Sequence, residues 1–153
     1  MASSITIKVD GLQQLGERMA KLSADMSTKI ARAATGAAAG IVKKEAARRA
    51  PVAKEAYVVR QNEGDKGVLV QPKNLGKNVI MKKVKSNLTS EHIVTLRAKR
   101  KDGYARRIGT LQEYGTANMP AQPFLRPAFD ENTQKAIDAM KNRIEKRLTK
   151  AGV

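Results

Sequence analysis

The chain carries a single histidine, His92, and no cysteine, so the common ligands of a zinc or iron centre are almost missing. Alternating residue types place His92 in a strand, on the same side as Val94 and Leu96, where a structural imidazole is expected. Two carboxylates, Glu63 and Asp65, share the loop "NEGDKG" at 62–67. Such a pair does acid–base work only where burial or a partner moves a pKa, and a solvated loop does neither. The loop also lacks the spacing and the Lys-Ser/Thr ending that cradle a phosphate and place a magnesium ligand. The expectation is no catalytic residue, no cofactor, no metal and no enzyme activity.

The remaining chemistry is charge. With 30 Lys+Arg against 14 Asp+Glu, the formal net charge is +16, which favours a polyanion or an acidic protein surface. Lys82, Lys83 and Lys85 fall on one predicted strand. "RAKRKDGYARR" adds Arg97, Lys99, Arg100, Lys101, Arg106 and Arg107 around the next turn. Read together, they concentrate positive charge at one end of a small sheet. That tip could follow a DNA backbone in a sequence-independent, salt-sensitive way, or meet an acidic partner; Tyr104 alone is too little for a base-stacking platform.

These residues need elements to hold them. At 153 residues the chain is expected to form one domain, with 41% hydrophobic but only 3% aromatic residues and hence an aliphatic, alanine-rich core. Ile5, Ile7 and Val9 alternate with Thr6 and Lys8 as in a half-buried strand, and Asp10 with Gln13 suits a helix start. Leu12, Leu15, Met19, Leu22, Met26 and Ile30 then recur at helical steps, with a polar division around Ser23 to Ser27 and an end near Pro51. Gly36 and Gly40, one turn apart among alanines, predict close approach of a neighbouring element. No secretory signal is evident, and the most apolar stretch, 34–42, is too short to span a membrane, so a soluble protein is expected.

Residues 53–77 read as a loop-rich insertion around the apolar run Val68 to Val70. Residues 78–114 read as an antiparallel sheet: a hairpin with its turn near Ser86 to Ser90, then a third segment ending at Tyr114. Pro120, Pro123 and Pro127 make 115–127 a stiff, largely extended strap around Phe124 and Leu125. Pro127 suits the first turn of a closing helix over 128–150, striped by Ile137, Met140, Ile144 and Leu148. The fold class is α+β: N-terminal strand and two helices (4–52), small antiparallel sheet, long C-terminal helix.

"EYGT", a short spacer and "PAQPFLRPAF", followed by a polar amphipathic helix, resemble the C-terminal signature of a bacteriophage family of tail components, the gene-product-ten-like proteins of long-tailed, siphovirus-type phages. "ITIKVDGLQQL", the alanine-rich helix and "AARRAPV" resemble its N-terminal part. The likeness covers 4–52 and 104–150 and is weaker between. It implies a structural virion protein of the head–tail junction (neck, tail completion or tail terminator), assembled in the bacterial host cytoplasm. It further implies a homo-oligomeric ring, six-fold as such tails commonly are, in contact with neighbouring neck and tail proteins. Contact with packaged DNA is compatible with that place, and no membrane is involved. The matching positions are Glu113, Tyr114, Gly115, Thr116, Pro120, Pro123, Phe124, Leu125, Arg126, Pro127 and Phe129. On this reading Gly115 allows a backbone turn, the prolines set the strap, and Phe124 and Phe129 anchor it. The alternative, resting on charge alone, is a small basic protein that binds DNA without sequence preference.

Overall fold

Ser23 splits the N-terminal helical run, as its polar neighbourhood suggests. Its extended backbone and side-chain oxygen, 3.4 Å from the Met26 amide, start a new helix. A computed structural model describes residues 12–60, 64, 66–84, 90–99 and 104–152; the expected strand at 5–9 and its Asp10 cap lie outside them. Helix α1 spans Leu12–Ala20 and α2 spans Ala24–Arg49, the latter ending two residues before Pro51. The buried face of α2 is Ile30, Ala34, Ala39, Val42 and Ala46, so neighbouring elements can approach its axis closely.

The architecture is mixed α+β, with six helices and two small antiparallel sheets among the described residues. Region 53–77 is more ordered than a loop. Strands β1 (Tyr57–Val59) and β2 (Val68–Val70) pair antiparallel, and one helical turn, α3, covers Asn74–Lys77. Strands β3 (Val79–Lys83) and β4 (His92–Leu96) form the second sheet, in the register Val79 with Leu96 through Lys83 with His92.

The third strand expected before Tyr114 is a helix, α4, over Ala105–Tyr114. Its buried face is Ala105, Gly109 and Glu113, spaced by four. Two small residues and a carboxylate carry no apolar signal, so the helical period does not show in the sequence. A Cβ on Gly109 would come within 2.0 Å of Leu96 Cδ1, so glycine lets α4 lie directly on β4.

The closing helix is two helices. Helix α5 spans Leu125–Asp130 and α6 spans Thr133–Lys150. Between them Asn132 is buried and turns its amide onto the Ala128 carbonyl at 3.1 Å, which ends α5 and offsets α6. Pro127 does sit in the first turn of α5, where its missing N–H leaves no intrahelical bond unmade.

Two apolar clusters result. Leu15, Ile30, Ala34, Ile144 and Leu148 join α1, α2 and α6. Ala46, Leu75, Val79, Leu96, Phe124 and Ala128 tie the C-terminal half of α2 to the second sheet and α5. The close approach expected at both Gly36 and Gly40 occurs only at Gly36. A Cβ there would be 3.5 Å from the His92 ring, while nothing lies within 4 Å of one on Gly40.

Candidate functional site

The strap is organised by one carboxylate. Helix α4 ends at Tyr114, and Gly115 follows with φ 74° and ψ −177°, a conformation open essentially only to glycine. A Cβ there would meet the Ala121 nitrogen at 2.8 Å and the Met119 oxygen at 2.9 Å. The chain doubles back through a Thr116 to Met119 bridge, and the Gln122 amide donates to the Gln112 carbonyl at 2.7 Å. Pro120 and Pro123 are exposed on the returning limb, which forms no regular ladder.

That return sets the start of α5 over the buried Glu113 side chain. Glu113 Oε2 accepts the Phe124 and Leu125 amides at 2.8 and 3.0 Å, and Oε1 accepts the Arg126 amide at 3.0 Å. Three N–H groups that no helix could satisfy internally are thereby paired, with a negative charge at the positive end of the helix. Burial raises the Glu113 pKa, but the three amide bonds and the Arg126 charge outweigh it, and the net direction is down.

Phe124 fills the core, 1% exposed. Phe129, expected as a second anchor, is 56% exposed. Four residues after Leu125 on a six-residue helix, it shares the half-buried flank of Leu125 rather than the core-facing side of Ala128. Tyr114 is 69% exposed, and the Arg126 guanidinium lies 5.8 Å from its ring centroid. Leu111, one turn before Tyr114, is exposed too. Around Arg106, Thr110, Tyr114 and Arg126 the surface dips into a depression of about 420 Å³. The strap thus has a core side, Glu113 and Phe124, and an open side, Leu111, Tyr114 and Arg126.

The basic residues do not gather at one end. The register puts Lys82 and Lys83 beside Ile93 and His92, whereas Arg97 follows Leu96, at the Val79 end. Four residues of strand, about 14 Å, separate the two groups. Arg106 belongs with Arg97: its backbone amide donates to the Arg97 carbonyl and its Nε to the Leu96 carbonyl at 3.3 Å. Lys82, Lys83, Arg97, Lys99, Arg106 and Arg107 are exposed; Lys85, Arg100 and Lys101 lie outside the described residues. Tyr104 is buried with a left-handed backbone at the start of α4.

His92 has a structural partner. Its Nδ1 is 3.0 Å from Thr35 Oγ1, which is also 3.1 Å from the Ala31 carbonyl. With the hydroxyl proton on that carbonyl, the imidazole is the donor and ties β4 to α2. Reasoning from sequence missed a second link, at the far end of α2. Glu45 accepts from Arg48 and Arg49, and Arg49 reaches across to Glu131 at the α5–α6 junction. The paired bonds from Arg48 and then Arg49 bring the Glu45 pKa down to about 2. Among the described residues no helix is long and apolar enough to cross a membrane.

Compared with protein-family models, curated proteins and solved structures, the chain matches none.

Proposed function

We propose that this chain is a structural virion protein of a phage head–tail junction, a neck, tail-completion or tail-terminator component that assembles as a ring of its own copies. The observation that carries the reading is the physical unity of the two sequence blocks that resemble the gene-product-ten-like proteins. Glu113 and Gly115 of the first block hold and turn the chain so that Phe124, Leu125 and Arg126 of the second begin α5 on the Glu113 carboxylate. A geometric dependence between the blocks explains why they occur together.

A ring needs a heterologous interface that closes on itself. The open side of the strap suits such a contact, because Tyr114 and Arg126 form a rigid, amphipathic pair beside the exposed Leu111. Tyrosine and arginine are among the residue types that dominate contact energetics at protein interfaces. The net charge of +16 suits neighbours that are acidic, or DNA passing through the ring. Six copies remain the number expected from the resemblance.

Inactivation of the gene in its own genome, followed by electron microscopy of the particles, tests the reading. Filled heads separated from tails, or tails of abnormal length, are the expected result. Normal infectious particles would refute it and turn attention to salt-dependent DNA binding.

A further inference from the structure

Strand β4 has one open edge. The Val84 amide bonds the Glu91 carbonyl and the Arg97 amide bonds the Asn78 carbonyl, so residues 91, 93, 95 and 97 direct their backbone groups toward β3. His92, Val94 and Leu96 direct theirs the other way. The Leu96 carbonyl is taken by Arg106 Nε. The outward amides and carbonyls of His92 and Val94 have no partner among the described residues. They face a groove of about 500 Å³ with Ala38, Ala39 and Val42 on α2, Phe129 on α5 and Met140 on α6 among its lining residues. An unpaired strand edge over an apolar floor is a site for an added strand.

The chain preceding α1 begins beside this groove. Ser27 Oγ bonds the Met19 carbonyl, and Leu15 packs with Ile30 and Ala34, so going backward along α1 leads forward along α2. Leu12, the first residue of α1, therefore lies toward the level of Thr35, which holds His92. Met140 packs against the Leu15 cluster and also lines the groove. Eleven residues precede α1. Extended, they reach about 36 Å, roughly twice the length of a five-residue strand.

We infer that residues 4–9, "SITIKV", occupy the groove as a strand antiparallel to β4, making β4 the centre of a three-stranded sheet. In antiparallel bonded pairs the opposed side chains share a face. His92 faces α2, so two of Ile5, Ile7 and Val9 stand opposite His92 and Val94 and cover the α2 floor, while Thr6 and Lys8 face outward. The segment's alternation matches this two-sided setting, and its apolar side covers part of Phe129.

Amide hydrogen exchange on the full-length chain, read residue by residue by NMR at low protein concentration, tests this. The His92 and Val94 amides are expected to be protected, and an Ile5→Asp/Ile7→Asp variant is expected to lose that protection by about 100-fold or more. The Ile93 and Thr95 amides, bonded to β3, should stay slow in both proteins and report that the fold survives. Fast His92 and Val94 amides in the unaltered chain would overturn the inference, as would protection unmoved by the substitutions. Protection that appears only as concentration drives self-association would assign the groove to a second copy instead and overturn it equally.

Discussion

The Glu113 carboxylate and the Phe124 amide meet at 2.8 Å although eleven residues separate them, and this contact joins the end of α4 to the start of α5. Leu125 and Arg126 complete the clamp on the same carboxylate. Glu113→Ala would leave three donors without an acceptor. Bonds to a charged group contribute about 1.5–3 kcal/mol each in favourable cases, and water recovers part of the loss, so a net destabilisation of about 2–4 kcal/mol is expected. Glu113→Gln keeps one carbonyl acceptor and should fall between the alanine variant and the parent. Urea titrations of the three proteins at pH 7 check the order.

The same clamp predicts acid sensitivity. Glu113 has a folded pKa below its ordinary value, so the unfolded state binds the proton more readily. Its contribution is fully present above the unfolded pKa of about 4.3 and is lost as pH falls through the lower folded value. Glu45 and Glu131 shift the same way, Glu45 to about 2, but both pair at exposed positions that salt screens. Glu113→Gln is therefore expected to flatten the acid limb of the stability profile below about pH 4.5, measured in high salt to suppress the exposed pairs.

Two glycines should resist replacement for different reasons. Gly115→Ala forces a side chain into a glycine-only backbone region and against Met119 and Ala121, a strain of about 1–3 kcal/mol. Gly109→Ala has ordinary helical geometry but drives its methyl into Leu96, an overpacking cost of about 1–3 kcal/mol. The companion Leu96→Val should rescue part of the second loss and none of the first. Thermal melts of the two single and two double variants separate the cases.

The legible parts of this fold were those written in large apolar residues. Ile30 and Ile144 signal the faces of α2 and α6, Pro51 marks the end of α2, and the alternation around His92 predicts β4. Helix α4 was hidden because its inward face is Ala105, Gly109 and Glu113. A carboxylate reads as surface until the strap is seen to bring three amides onto it. The α5–α6 break was hidden for a related reason: Asn132 is buried and bonded, a role that sequence assigns to solvent. Phe129 misled in the opposite direction, since a phenylalanine beside a core motif reads as an anchor and here lies on the groove. Charge read along the chain also misled, because the β3–β4 register sends Lys82 and Arg97 to opposite ends.

The two faces of the strap separate folding from assembly. Phe124→Ala removes a side chain buried among Leu75, Val79 and Leu96 and should cost about 3–5 kcal/mol, enough to threaten a domain whose whole stability is of order 10 kcal/mol. Tyr114→Ala with Arg126→Ala removes exposed groups and should leave the melting temperature within a few degrees of the parent, about the effect of 1 kcal/mol. If the open side of the strap is where copies meet, that double variant stays folded yet fails to complete particles when it replaces the parent gene. Sedimentation of the purified protein and electron microscopy of lysates read the two effects separately. A double variant that is both stable and fully competent in particle assembly would remove Tyr114 and Arg126 from the interface and leave the ring contact to be sought on another surface, beginning with the exposed Val58 and Leu69 of the β1–β2 hairpin.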